Sequence, residues 1–107
     1  MTYSIRFLPR VEDDAVAGYV RYESKVPGLG EKFLRLFYAR ASEISENPLL
    51  YRKVHGEFRR RLLRQFPYAI YFRIEGDEVV VFGLFRCARN PATITGELES
   101  RDVPEAP

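Results

Sequence analysis

Residues Arg59–Pro91 read RRRLLRQFPYAIYFRIEGDEVVVFGLFRCARNP, and this stretch decides the fold. Three runs rich in Val, Ile, Tyr, Phe and Leu follow one another with almost no linker: Leu62–Phe66, Tyr68–Ile74 and Val79–Phe85. Such residues suit a pleated, half-buried surface, so each run predicts a β-strand. Gly76-Asp77 separates the second run from the third. Glycine supplies the positive φ that a two-residue hairpin turn needs, so these two strands pair antiparallel. Pro67 has no N–H to give to a ladder and belongs at a strand start or an edge. The whole stretch predicts a three-stranded antiparallel meander.

Upstream, Tyr3–Leu8 alternates, with Tyr3, Ile5 and Phe7 on one side, and predicts a short strand. Val11, Ala15, Tyr19, Tyr22 and Val26 recur at helical spacing, so a helix runs from about Pro9 to Val26. Gly18 inside it suits the close approach of a second helix. Pro27-Gly28-Leu29-Gly30 breaks the chain. Phe33, Leu36, Phe37, Arg40, Ala41 and Ile44 then share one face of a second helix, from about Glu31 to Glu46. Asn47-Pro48 ends it. Leu49–Phe58 reads as a polar connector with a turn at His55-Gly56. Beyond the meander, Thr93 or Thr95 caps a short helix ending near Ser100. Residues 97–107 read as a flexible acidic tail behind a single domain spanning 1–96. The order β-α-α-β-β-β-α predicts an α+β domain, its helical hairpin on one face of the sheet and its first strand joined in parallel.

A chain of 107 residues makes one domain, and its 15 Phe and Tyr can fill a small core. The single cysteine, Cys87, allows no internal disulfide, which fits a reducing compartment. The start lacks an apolar signal region and no run reaches membrane-span length, so a cytoplasmic location away from membranes is expected. The lone His55 and isolated Cys87 offer no metal-ligand spacing, and Pro27–Gly30 lacks the Lys of a phosphate loop; no metal or cofactor is expected.

The net charge of +2 hides an uneven distribution. Residues 97–107 carry −3, so the rest of the chain stands at +5. Arg52, Lys53, Arg59, Arg60, Arg61 and Arg64 cluster against Glu57 alone. Fourteen of the 17 basic residues are Arg, whose planar fork suits carboxylates and phosphates. Two readings stand: a solvated strand edge paired to the helices, or a binding surface for an acidic or nucleic-acid partner. Alternation places Arg59 and Arg61 with Leu63, and Arg60 and Arg64 with Leu62 and Phe66. Arg86 follows Val80, Phe82 and Leu84, and Arg89 lies just past the last strand. The candidate binding residues are Arg59, Arg60, Arg61, Arg64, Arg86 and Arg89.

Metal-free RNA cleavage needs a base, an acid and cations for the phosphorane. Arg60, Arg61, Arg86 and Arg89 can supply the cations. For acid and base the pattern offers only His55, in the connector, so no catalytic residue is assigned from it.

The element order, the break at Asn47-Pro48, the run from Arg61 through Phe66-Pro67-Tyr68 to Phe72, and the ending Val81–Arg86 followed by Cys87-Ala88-Arg89-Asn90-Pro91 together resemble the RelE/ParE toxin family over about residues 3–92. The resemblance implies the toxin half of a type II toxin–antitoxin pair of the plasmid-stabilisation kind. It also implies growth inhibition, a cognate antitoxin as partner and a toxin–antitoxin hetero-oligomer. RelE-like members cut mRNA in the ribosomal A site; ParE-like members poison DNA gyrase without known nuclease chemistry. The sequence departs from the RelE-like set of sheet Lys and Arg with a C-terminal Tyr, having only the Arg part. It departs also from a His-x-x-Arg-Asp-Pro ending, where Arg86 replaces His and Asn90 replaces Asp. The resemblance therefore implies a ParE-like toxin directed at DNA gyrase, with a RelE-like toxin directed at the ribosome and mRNA as the alternative. In that alternative Arg60, Arg61, Arg86 and Arg89 would be the catalytic cations.

Overall fold

A computed structural model describes residues 2–102. The elements in order are β1 (Ser4–Phe7), α1 (Pro9–Glu23), α2 (Leu29–Glu46), a single 3-10 turn (Pro48–Leu50), β2 (Lys53–His55), β3 (Phe58–Leu62), β4 (Tyr68–Glu75), β5 (Glu78–Arg86) and α3 (Pro91–Arg101). One sheet runs β1-β5-β4-β3-β2, and β1 joins it parallel to β5. The fold is α+β, as the element order predicts.

The α1–α2 hairpin covers one face. Gly18 allows it: a Cβ there would lie 2.4 Å from the Phe33 ring. The Glu23 carboxylate at the end of α1 accepts from the Gly28 and Gly30 N–H groups, at 2.9 and 3.0 Å. It thereby satisfies orphan donors at the start of α2, where negative charge also suits the helix dipole. This tie closes the turn earlier than expected, so α1 stops at Glu23 and Val26 is exposed. Beneath the hairpin lie Val11, Phe33, Phe37, Ile44, Ile70, Phe72, Val79 and Val81. Phe33 meets Phe66, Tyr68 and Tyr22 at ring separations of 4.9–5.3 Å.

The other face is covered by α3 alone, which sets Ile94 and Leu98 on Tyr71, Phe82 and Phe85. Asn90 caps this helix by accepting from the Ala92 N–H at 2.8 Å, in place of the expected Thr93 or Thr95. The helix runs through Arg101, and Leu98 is fully buried, so residues 97–101 belong to the fold and not to a tail. Their acids hold specific cations, as described below. The remainder of the expected tail, 103–107, lies outside the described residues.

Three strand expectations are corrected. The expected connector holds β2 as well as the 3-10 turn. The strand expected at Leu62–Phe66 starts four residues earlier, at Phe58, because arginines on the hairpin side of β3 find polar partners there. Leu63–Phe66 is the turn into β4. Finally, β5 carries a bulge: Phe72 pairs Val81 but Tyr71 pairs Gly83, leaving Phe82 extra. Val79 and Val81 face the hairpin, Val80 and Phe82 face α3, and then Leu84 faces the hairpin and Phe85 faces α3. One added residue inverts the alternation. Arg86, in register with the hairpin-side Tyr68, therefore does not share a side with Val80 and Phe82.

Candidate functional site

The six candidate arginines divide between the two faces. Arg59 and Arg61 sit opposite Phe72 and Ile70, on the hairpin side. Arg59 donates to the Tyr51 carbonyl at 2.6 Å. Arg61 donates to the Tyr51 hydroxyl at 2.7 Å and to Glu43 at 2.8 Å, and its guanidinium lies 5.2 Å from the Tyr51 ring centre. Only 20% of the Arg61 side chain is exposed. These two cations fasten the 3-10 segment and α2 to β3.

Arg60 points the other way, opposite Tyr71, and is exposed. Arg64 is exposed in the β3–β4 turn, at φ 74°. Among the described residues it is the one non-glycine residue with positive φ. That backbone region is disfavoured for a residue with a Cβ. Cys87 N–H donates to the Pro67 carbonyl at 2.8 Å, tying this turn to the end of β5, where Arg86 and Arg89 stand. The Arg89 guanidinium rests 4.9 Å from the centre of the Phe85 ring. Among the described residues no carboxylate pairs with Arg52, Arg60, Arg64, Arg86 or Arg89. Cys87 is an exposed thiol on this rim.

Two concavities open here. A groove of about 520 Å³ follows the β2–β3 edge past Leu50, Arg52, Val54, Arg60, Leu62 and Arg64. A cleft of about 190 Å³ between sheet and α3 is lined by His55, Arg60, Tyr71, Cys87, Arg89 and Thr95. His55 stands on a strand, not in the expected turn, with its ring parallel to Phe58 and its Nε2 2.9 Å from Glu99.

A second polar network lies at the opposite end of α3. β1 ends at Phe7, so β5 beyond Val81 has no strand on that side. Asp14 fills the gap by accepting from the Leu84 N–H at 3.1 Å, and Arg101 by donating to the Phe82 carbonyl at 2.9 Å. Arg101 and Asp14 also pair with each other at 2.6 Å, with side chains 5% and 12% exposed. Burial alone would lower the Arg101 pKa, but hydrogen bonds and charge from Asp14 and Glu97 raise it overall. Arg73 is held above the usual arginine range by its hydrogen bond to Asp102, helped by Glu75, and Asp102 is held below the usual carboxylate range by the same bond. The sequence gives little sign of these pairs, since Asp14 and Arg101 are 87 residues apart. The late arginine in a segment with buried-helix spacing, Ile94, Leu98 and Arg101, is the one available signal.

The family model for the ParE toxin of the type II toxin–antitoxin system parDE matches residues 5–91. The chain belongs to the ParE toxin family. A chain of the chromosomal ParDE toxin–antitoxin system from P. aeruginosa superposes on this ParE-family toxin with a TM-score of 0.72 at 17% identity, covering 79% of this chain and 96% of that one. A mutant of the E. coli toxin RelE in the free state superposes with a TM-score of 0.61, also at 17% identity, covering 96% of this chain and 100% of that one. At such identity the likeness is one of fold. No curated protein matches in sequence. The family match ends at Pro91, so α3 lies beyond the matched segment. Among the described residues of this toxin no helix is long and apolar enough to cross a membrane, and no cluster of three or more His, Cys, Asp or Glu could hold a metal ion.

Proposed function

We propose that this toxin arrests growth by binding DNA gyrase and that a cognate antitoxin neutralises it in a hetero-oligomer. Family membership supports the toxin–antitoxin half of this reading. The observation that carries the binding half is the set of arginines without carboxylate partners, Arg60, Arg64, Arg86 and Arg89, gathered where the β3–β4 turn meets the end of β5. Unpaired guanidinium groups cost little to present in water and gain charge-assisted hydrogen bonds when an acidic surface arrives. Arg59 and Arg61 are set aside as direct contacts in this reading, because their guanidinium groups are engaged with Tyr51 and Glu43 within the fold. Gyrase is cytoplasmic, so the proposal places the toxin there too.

One observation favours a second reading, a ribosome-dependent mRNA endonuclease. His55, Arg60 and Arg89 line the same cleft, which would set a general base or acid beside two cations for a phosphorane. Arg61 is not in that cleft and would have no catalytic part. Two incubations separate the readings: purified toxin with gyrase and supercoiled DNA, and purified toxin with mRNA-programmed ribosomes. Gyrase inhibition without ribosomal mRNA cleavage is the expected result. Cleavage that His55→Ala abolishes, with gyrase unaffected, would replace the first reading by the second.

A further inference from the structure

We propose, resting on the toxin–antitoxin reading above, that the outer edge of β2 docks an extended, acidic partner segment as a sixth strand. Among the described residues β2 closes the sheet order and no strand lies outside it. Across the β2–β3 ladder the Arg60 N–H donates to the Arg52 carbonyl. Antiparallel ladders alternate, so the next residue along β2, Lys53, turns its own N–H and C=O away from β3. A strand edge left in this state is a template for one more chain.

What surrounds the edge selects the chain. Leu50 and Val54 are 72% and 43% exposed, so the groove offers apolar contact on a surface that water otherwise covers. Arg52, Arg60 and Arg64 line the same groove and none pairs with a carboxylate among the described residues. Lys53 is occupied by Glu57 of its own turn, at 2.8 Å, which lowers the Glu57 pKa. The complementary segment therefore alternates acidic with aliphatic side chains, as an extended chain must to meet both. The disfavoured backbone at Arg64 adds a second, independent observation. Residues held in sparsely populated conformations concentrate at functional sites, and Arg64 lines this groove. A nucleic acid would use the arginines equally well but has no use for an outward N–H and C=O pair or for exposed leucine and valine.

The probe is a labelled synthetic peptide of about eight residues, a typical strand length, alternating Glu with Val and Leu. It is titrated by fluorescence anisotropy into the full chain and into variants. Wild type should bind, with affinity falling as salt rises. Lys53→Pro should weaken binding about tenfold relative to Lys53→Ala, because only the former removes the outward N–H. Proline is tolerated at such an edge position, and equal melting temperatures for the two variants verify it. Arg64→Gly removes the charge while accepting the backbone; it should weaken binding without loss of stability. Equal affinities for Lys53→Pro and Lys53→Ala, or no binding by wild type, would overturn the docked strand. So would a duplex DNA that displaces the peptide and binds Lys53→Pro as well as wild type; that result assigns the groove to phosphate. Lys53 has no part in the proposed gyrase contact or in the cleft, so gyrase and ribosome incubations of Lys53→Pro should match wild type, and either proposal can fail alone.

Discussion

The two faces of the sheet are closed in different ways. The hairpin side is sealed by two long helices through aromatic and aliphatic contact, with Phe33, Phe37 and Ile44 essentially inaccessible. The α3 side is closed by one short helix that buries only Ile94 and Leu98 and is fastened by charge: Arg101 to Asp14, Arg73 to Asp102 and His55 to Glu99. The first arrangement is non-directional and stores most of the stability. The second is directional, is concentrated at residues 99–102, and leaves a cleft open beside the earlier part of the helix. Arg60 and Arg89, without carboxylate partners among the described residues, line that cleft, and Arg64 and Arg86 stand at the sheet end.

Substitutions can break this contrast in order of size. Phe33→Ala should cost about 3–5 kcal/mol in thermal or urea unfolding, the usual price of an aromatic cavity in a core. An effect below about 1 kcal/mol would mean that the hairpin side is not the main store. Arg101→Met leaves Asp14 half-satisfied in a site with little water and should cost about 3 kcal/mol. Pairing it with Asp14→Asn should recover part of that loss in a double-mutant cycle; strict additivity would deny that the two act as a unit.

A weaker effect is expected at Asp102. Its pKa is lower in the fold than in the unfolded chain, so its contribution is present above the unfolded value and lost as pH falls through the folded one. Because the group is largely solvated, Asp102→Asn should cost only about 0.5 kcal/mol at neutral pH. The gap between variant and wild type should close in acid, below the ordinary carboxylate range; a gap independent of pH would remove the charge from the explanation. Smallest of all in stability, Arg60→Ala with Arg89→Ala should change unfolding by about 0.5 kcal/mol or less, yet relieve growth inhibition in cells lacking the antitoxin. Unchanged toxicity would move the target contact off this rim. Arg61→Ala supplies the contrast on β3: its hydrogen bonds to Tyr51 and Glu43 mean that its loss lowers the melting temperature where that of Arg60 does not.

These differences also mark what the sequence can disclose. Tyr68–Ile74 and Val79–Phe85 are legible as strands because their composition leaves no other element, and Gly76-Asp77 dictates their turn: Gly76 has φ 64° and Glu75 pairs Glu78 across it. The hairpin is legible because Gly18 and the Phe33 stripe follow helical spacing. The start of β3 is not, since Arg59 and Arg61 look like solvent residues until Tyr51 and Glu43 are known to face them. Nor is the helical course of residues 97–101, whose acids suggest a solvated tail until Arg73 and Arg101 are seen to hold them. Long-range polar pairs leave no periodic trace, and neither does the bulge that sets Arg86 on the hairpin side.

The extra residue in β5 works like a repeated beat in a rhythm, shifting the count and not the faces. Upstream of Phe82 odd-numbered side chains look toward the hairpin; from Leu84 the even-numbered ones do. Deleting Gly83 would thus remove the bulge and leave Phe82 alone opposite Tyr71. Leu84 and Arg86 would stay on the hairpin side and Phe85 on the α3 side, because Phe82 would then pair Tyr71 and strict alternation would already place them there. A one-residue indel at this place therefore changes the numbering parity of the strand end between relatives while every arginine of the basic rim keeps its direction.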